Sequence, residues 1–188
     1  MSTLDQLYEN GLLLNEDKVL LEELAQGNEN ILVIGNDKQM NGLLLIAILR
    51  ERLRGRETWY FKDRDDLSLD FHLIELKSNM VKSYEDAREI VRSMPFIPII
   101  IDEINTQALA QFFLECCVGL RSQVTAAYTG YGDAKALFSS FAQLTRPTVD
   151  YRTQNDVDNY VRHMVKVFII NSEKDGQNKI TVVDNRRQ

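Results

Sequence analysis

The amino-acid sequence predicts an α/β fold: a mostly parallel sheet with helices on both faces and a β-hairpin at its C-terminal end. Two apolar segments, Ile31–Ile34 and Ile97–Ile101, lack the alternation of a half-exposed strand, and such runs are typical of strands buried on both faces. Segments with helical spacing separate the predicted strands, which favours a parallel sheet. We expect the two apolar segments to be neighbouring or near-neighbouring central strands.

The first third of the chain already shows this alternation. A short helix ends near Gly11, and a second helix is predicted from an N-cap at Asn15 to a stop at Gly27. The apolar strand 31–35 follows and ends in glycine. After a polar loop, the segment 42–53 has the composition of a long helix that is very apolar at its start.

The middle of the chain continues in the same way. Segments 57–61 and 72–76 are strand candidates, separated by a charged turn. Ser83 and Asp86 have the spacing of a capping box and predict the start of a helix. The buried strand 97–101 comes next and leads directly into two acidic residues.

The last third adds helices, one strand and a hairpin. A helix is predicted over 106–120 and a strand over 123–128. Asp133 can cap the following helix, and a last helix is expected over 156–165. The hairpin then covers 167–183, with Asp-Gly in its turn.

Length and composition indicate a globular domain. The 188 residues are 44% hydrophobic and 27% charged, which is ordinary for a chain that buries its own core. We expect a single domain over 1–188, with lead-in helices over 1–30, a core over 31–155 and a terminal helix and hairpin over 156–188. The chain contains no apolar run near the length of about 20 residues that a membrane span needs. Its acidic N-terminus does not read as a signal peptide, so we expect a cytoplasmic protein.

The charge distribution argues against a nucleic-acid partner. Twenty-eight acidic residues outnumber 22 basic ones, for a net charge of −6, whereas binding to the phosphate backbone needs clustered basic residues. The densest basic stretch contains Arg50, Arg52, Arg54 and Arg56 with glutamates around them. We interpret it as the solvated end of a helix; a contact with nucleic acid or another anionic partner is the alternative.

Cysteine and histidine offer no metal site. Cys116 and Cys117 are adjacent, which disfavours a disulfide between them, and two cysteines alone do not make a zinc site. His72 and His163 have no cysteine or histidine at metal-ligand spacing. We expect reduced thiols, packing or surface histidines and no bound metal.

The segment after the first strand has the layout of a phosphate-binding unit: strand, glycine, polar loop and apolar helix. A phosphate-binding loop reads G-x-x-x-x-G-K-[ST], with glycines that let backbone N–H groups face phosphate. Gly35 supplies the first glycine, but Met40 stands at the second glycine, Asn41 at the lysine and Gly42 at the magnesium-binding hydroxyl. The motif itself is therefore absent.

Several residues of this loop nevertheless remain candidates for contact with a nucleotide. They are Gly35, Asn36, Asp37, Lys38, Asn41 and Gly42. Lys38 offers a replacement for the missing lysine from an earlier position. Because Met40 would crowd a conformation that glycine permits, we expect the loop to be open or filled by its own side chains, with no nucleotide bound.

In the order of its segments the chain resembles the secretion-ATPase superfamily, the hexameric motors of type II and type IV secretion, pilus assembly and conjugation. It is most similar to the tight-adherence and conjugation-type branch, over roughly residues 3–185, without a counterpart of the N-terminal domain of the full motors. The resemblance implies a RecA-like P-loop NTPase core. The matching segments are 4–35, 43–49, 60–79, 87–104, 126–137 and 165–185.

The resemblance assigns roles to residues at the ends of three strands. Asp63 and Asp66 fall on two acidic positions of the aspartate box, although an exposed acidic turn is the alternative. Glu103 falls on the glutamate of Walker B, and Asp102 replaces its usual glycine; a helix-capping acid pair is the alternative here. Thr129 stands where the histidine box has its histidine.

These departures imply a degenerate relative that does not hydrolyse nucleotide and needs no cofactor. Such a protein would be a structural or regulatory component, with the proteins of a secretion, conjugation or pilus machine as its partners. The alternative is an active ATPase that uses ATP and Mg²⁺, with Lys38 on phosphate and Glu103 as the catalytic residue that orients water. A nucleotide-binding module without hydrolysis and an unrelated α/β protein are two further readings.

The resemblance also bears on assembly. Glu75 and Asn79 stand where the motors carry arginines that reach across subunits, so we expect a monomer, a small oligomer or a capping subunit rather than a nucleotide-dependent hexamer. The apolar strand Val167–Ile170 is the predicted edge for self-pairing.

Overall fold

The computed structural model describes residues 3–53, 56–67, 69, 71–77, 84–93, 96–118, 123–146, 153–174 and 177–185. The helices within these ranges are α1 Leu4–Glu9, α2 Asn15–Gln26, α3 Lys38–Leu53, α4 Tyr84–Arg92, α5 Gln107–Val118, α6 Ala134–Leu144 and α7 Gln154–Met164. The strands are β1 Ile31–Gly35, β2 Thr58–Lys62, β3 Leu73–Lys77, β4 Ile99–Ile101, β5 Val124–Thr129, β6 Val167–Lys174 and β7 Gln177–Asp184.

The strands form one sheet in the order β3-β2-β4-β5-β1-β6-β7. Every neighbouring pair is parallel except β6 and β7, which form an antiparallel hairpin. This arrangement confirms the predicted fold class, with β1 and β4 as near-neighbouring central strands separated only by β5. The predicted hairpin turn at Asp175–Gly176 lies outside the described residues.

The sheet separates two apolar cores. Leu32 and Ile34 of β1 pack with α4, α5, α6 and α7 on one face. Ile31 and Val33 pack with α1, α2 and α3 on the other face. All four side chains are fully buried, and this burial on both faces is the reason that β1 is apolar without alternation.

The prediction that Val167–Ile170 forms an edge strand available for self-pairing is wrong. Val167–Ile170 belongs to β6, which pairs with β1 on one side and with β7 on the other. Because β7 lies beyond it, β6 has a hydrogen-bonded neighbour on each side and is not an edge strand. Among the described residues, β3 and β7 are the two outer strands of the sheet.

Helix starts differ from expectation at three positions. Leu14, not Asn15, is the N-cap of α2, and it makes no side-chain capping bond. Thr153 begins α7 with a capping box that the sequence pattern did not single out. Helix α3 begins at Lys38, four residues before Gly42, and this difference reshapes the candidate site. Asp133 caps α6 as predicted, whereas Ser83 lies outside the described residues.

The arginine-rich end of α3 is not uniformly solvated, contrary to the interpretation above. Arg52 is only 4% exposed, because its guanidinium turns back into the protein; Arg54 is outside the described residues. Cys116 and Cys117 are free thiols, and burial raises the pKa of Cys117 to about 12. In the described part of the chain no helix is long and apolar enough to cross a membrane, and no cluster of three or more histidine, cysteine or acidic side chains could hold a metal.

Candidate functional site

The parallel topology brings the predicted site residues to one edge of the sheet. Strand β1 ends at Gly35, β4 leads into Asp102 and Glu103, and β5 ends at Thr129. The loop 63–66 follows β2, which is the neighbour of β4. The carboxyl ends of parallel strands are where ligands bind in open α/β sheets.

The connection between β1 and α3 is only two residues long, Asn36 and Asp37. Asp37 caps the helix: its Oδ1 accepts the N–H of Met40 at 3.0 Å, and its carbonyl accepts the N–H of Asn41 at 2.9 Å. A helix N-terminus of this kind is a ready anion site. Here a carboxylate of the chain itself already uses one of its donors.

Met40 does not crowd the loop, contrary to the reason given for an open or filled loop. Because α3 begins at Lys38, Met40 belongs to the first turn of the helix. Its side chain is 7% exposed and packs into the core beside α1 and α2. The segment that forms a loop in a phosphate-binding motif is helical here.

Asn41, at the lysine position, points toward the strand ends rather than toward solvent. It is fully buried. Its Nδ2 donates to the carbonyl of Gly35 at 3.4 Å, to the carbonyl of Tyr128 at 3.2 Å and to Oγ1 of Thr129 at 3.4 Å. A β-carbon on Gly35 would lie 2.4 Å from Asn41 Oδ1, so the first glycine of the window admits this amide.

Arg64, from the loop after β2, fills the space beside Gly42. It is 2% exposed, and its guanidinium donates to both carboxylate oxygens of Asp66, at 3.1 and 2.7 Å. Its Nη1 donates to the carbonyl of Lys38 at 2.7 Å. A β-carbon on Gly42 would lie 2.9 Å from Nη1. The arginine therefore stands where the family pattern places a magnesium-binding hydroxyl.

The carboxylate of Asp102 anchors the loop that carries Arg64. It accepts the hydroxyl of Tyr60 at 2.6 Å, the N–H of Asp63 at 2.8 Å and the N–H of Arg64 at 3.0 Å. Burial raises the pKa of Asp102, although these donors oppose the shift. Burial and the contact with Asp102 also raise the pKa of Tyr60. Asp102 thus fixes the loop after β2 to the end of β4.

The carboxylate of Glu103 is held by Thr129. One oxygen accepts the N–H of Thr129 at 2.8 Å, and the other accepts its hydroxyl at 3.0 Å. Glu103 is 6% exposed, and burial raises its pKa. The residues at the Walker B and histidine-box positions therefore contact each other directly.

The remaining candidates lie nearer to solvent. Lys38 is exposed, and Asn36 is half-buried. The positive charge of Lys38 helps to lower the pKa of Asp66 and opposes the rise in the pKa of Glu103. Hydrogen bonding with Arg64 is the main cause of the lowered pKa of Asp66.

Two further polar residues were not singled out from the sequence. Arg64 lies between aspartates in a segment that was interpreted as an acidic turn. The signal that could have indicated it is Gly42, because a glycine in a predicted helix indicates that another group packs closely against it. Asn171 of β6 is fully buried opposite Gly35. Neither polar atom of its side chain has a hydrogen-bond partner among the described residues. Glu75 lies exposed on β3, and Asn79 is outside the described residues.

The comparisons with known proteins rest on structure. No family model matches the sequence, and no curated protein matches it. The VirB11 ATPase of the Brucella suis type IV secretion system, solved with sulphate, matches with a TM-score of 0.74 and 17% identity over 98% of this chain and 55% of that chain. The pilus retraction motor PilT with bound ADP matches with a TM-score of 0.60 and 13% identity over 91% of this chain and 50% of that chain.

The Yersinia pseudotuberculosis ATPase DotB also matches, with a TM-score of 0.61 and 12% identity over 95% of this chain and 48% of that chain. The chain thus spans about half the length of the solved structures that it matches. At these identities the comparison establishes the fold alone. The chain has the fold of the secretion and pilus-motor ATPases.

Proposed function

We propose that this protein is a degenerate secretion-ATPase-like component that does not hydrolyse ATP and serves a structural or regulatory role in a secretion, conjugation or pilus machine. The observation that carries the proposal is that side chains of the protein itself occupy the positions at which a nucleotide and its metal would be bound. Asp37 caps the helix where phosphate would bind, and Arg64 lies against Gly42.

Phosphoryl transfer needs positive charge placed at the transferring phosphate, and motors with a P-loop supply it with a lysine and a bound magnesium ion. Asn41 stands at the lysine position with its amide turned toward the strand ends. Gly42 brings no hydroxyl to the metal position. The chain therefore lacks the two groups that hold this charge in place.

The state of Glu103 supports the same proposal. A glutamate that orients the attacking water needs an oxygen directed at that water. Both oxygens of Glu103 accept hydrogen bonds from Thr129 within the protein. These bonds hold the residues after β4 to the end of β5, and an attacking water would have to share the carboxylate with Thr129.

The role in a machine is supported by the fold. Two of the matching structures are a type IV secretion ATPase and a pilus retraction motor. We propose that this chain works in the cytoplasm with the protein components of such a machine, without a cofactor of its own. A fold that no longer turns over nucleotide still offers the surfaces by which such domains contact their neighbours.

One observation favours the alternative of an active ATPase. Lys38 is exposed at the start of α3, and its charge acts on Glu103 and Asp66. In this alternative Lys38 contacts phosphate, Glu103 releases Thr129 to orient water, and Mg²⁺ accompanies ATP.

Calorimetric titration with ATP and Mg²⁺, together with an assay of phosphate release, tests the proposal. We expect neither binding heat nor turnover, with a nucleotide-binding motor of the same fold as the positive control. Turnover that is lost in both Lys38→Ala and Glu103→Gln would replace the proposal by the active ATPase. Binding without turnover would instead indicate a nucleotide-binding module.

A further inference from the structure

A cavity of about 500 Å³ opens at the opposite edge of the sheet, beside the C-terminal ends of α2 and α3. Two arginines and one glutamate supply the charged groups among its described lining residues. The lining is Ala25, Gln26, Glu51, Arg52, Leu53 and Arg56. None of these residues belongs to the candidate nucleotide site.

Arg52 carries a buried charge that is bonded to neutral acceptors. It is 4% exposed. Its Nη1 donates to Oγ1 of Thr125 at 2.7 Å, and its Nη2 donates to the carbonyls of Glu29 and Leu24. Its Nε is buried without a hydrogen-bond partner among the described residues. Burial lowers its pKa to about 10, so the side chain stays charged at neutral pH.

Arg56 places a second positive charge close to the first. Its Nη2 donates to the carbonyl of Arg52 at 3.0 Å and to Oε1 of Gln123 at 3.3 Å. The charge of Arg56 contributes to the lowered pKa of Arg52, which means that the two guanidinium groups repel each other. Because Arg56 is exposed, its remaining donors can reach a ligand in the cavity.

We propose that this cavity binds a compact oxyanion of the phosphate class between Arg52 and Arg56. An anion relieves the repulsion between the two guanidinium groups and supplies an acceptor for the donors of the exposed Arg56. Guanidinium forks match the geometry of phosphate and bind it through charge-assisted hydrogen bonds. Glu51 and the nearby Glu29 oppose binding, and they restrict the site to a small ligand held directly by the two arginines.

A purely structural role for Arg52 leaves the arrangement incomplete. Its bond to the carbonyl of Leu24 helps to satisfy the C-terminal end of α2. This role uses Nη2 and accounts neither for the buried Nε nor for Arg56 beside the same cavity. The two roles are separable, because Arg56 is exposed and does not contribute to the core.

Calorimetry with inorganic phosphate, at constant ionic strength maintained with chloride, tests the site. Arg56→Gln removes the exposed cation without opening the core, and Arg50→Gln removes the same charge from α3 outside the cavity as the matched control. We expect wild-type protein to bind phosphate and Arg56→Gln to bind about tenfold more weakly, a loss of about 1.4 kcal/mol. Arg50→Gln should leave the affinity within about twofold of wild type.

Acetate in place of phosphate tests the ligand class, and we expect it to bind more weakly because it carries one charge. Acetate binding as tightly as phosphate would overturn the assignment to the phosphate class. Absence of phosphate binding, or equal weakening by Arg56→Gln and Arg50→Gln, would overturn the site. Loss of phosphate binding in Lys38→Ala, with Arg56→Gln unaffected, would place the anion at the other edge of the sheet and also overturn it.

Discussion

Arg64 and Gly42 are fitted to each other: the guanidinium of Arg64 lies where a β-carbon on residue 42 would come within 2.9 Å of Nη1. Gly42 is inside α3, where glycine is normally unfavourable by about 1 kcal/mol relative to alanine. Glycine is retained at this position because a larger residue would displace the buried guanidinium of Arg64, which forms a bidentate ion pair with the exposed Asp66. The relationship ties the helix after β1 to the loop after β2.

The first prediction concerns this pair. At an open helical position Gly→Ala stabilises, but we expect Gly42→Ala to destabilise the protein by about 1–3 kcal/mol because it overpacks the site. Adding Arg64→Ala should remove the penalty, giving a coupling energy of about 1 kcal/mol or more in a double-mutant cycle measured by denaturant unfolding. Gly27→Ala is the control, since its β-carbon would meet its nearest neighbour at an ordinary 3.4 Å. Additive effects of the two changes would contradict the fit.

The second prediction is a pH dependence at Glu103. Burial raises its pKa above the usual 4.5, so the folded state keeps a proton that the unfolded state releases. The associated stability is complete below pH 4.5 and is lost as the pH rises through the raised pKa. Wild type should therefore lose stability relative to Glu103→Gln over this range, because the contributions of Asp102 and Asp66 cancel in the comparison. Denaturant unfolding from pH 4 to 7 measures it. A stability of wild type relative to Glu103→Gln that stays flat or rises with pH would refute the burial argument.

A third prediction compares the two buried asparagines at the end of β1. Asn171 has no hydrogen-bond partner for its side chain among the described residues, so Asn171→Leu should be neutral or stabilising by about 1 kcal/mol. Asn41→Leu should instead destabilise by about 1–3 kcal/mol, because the two N–H groups of its amide serve three oxygens at the strand ends, although its Oδ1 has no partner among the described residues. The free energies of unfolding of the two variants, each compared with that of wild type, test this prediction. Strong destabilisation by Asn171→Leu would show that its amide has a bound partner.

The fourth prediction concerns assembly. Glu75 stands where the resemblance places an arginine that reaches across subunits, and it is exposed on the outer strand β3. We expect the mass in solution to be that of a monomer or small oligomer and to be unchanged by ATP and Mg²⁺. Multi-angle light scattering with and without nucleotide measures this. A nucleotide-induced shift to about six subunits would favour the motor reading.

The layered fold was predictable because its central strands are apolar on both faces, as the division of β1 between the two cores illustrates. The position of Val167–Ile170 in the sheet was not predictable. The apolar character of a strand indicates that the strand is buried, but not which strands pair with it. Arg52 was misread for a similar reason: the pattern of charges in a helix does not reveal which long side chain folds back to a neighbouring carbonyl.

The sequence predicted which residues lie at the candidate site, but not which of them contact each other. The residues at 35–42, 102–103 and 129 do converge at one edge of the sheet, as parallel strand ends require. The contact between Glu103 and Thr129, and the insertion of Arg64, depend on pairings between distant segments. Only the start of α3 at Lys38 had a local signal, since an aspartate before a run of helix formers is a common N-cap.

The short connection between β1 and α3 has a consequence for any attempt to restore the motif by substitution. Restoring glycine, lysine and serine at 40–42 by substitution would not recreate a loop, because those positions are wound into the first turn of a helix capped by Asp37. The sequence departures at 40–42 therefore occur in a helical segment of this chain. The two-residue connection between β1 and α3 is thus a feature of the backbone that substitutions at 40–42 alone would leave in place.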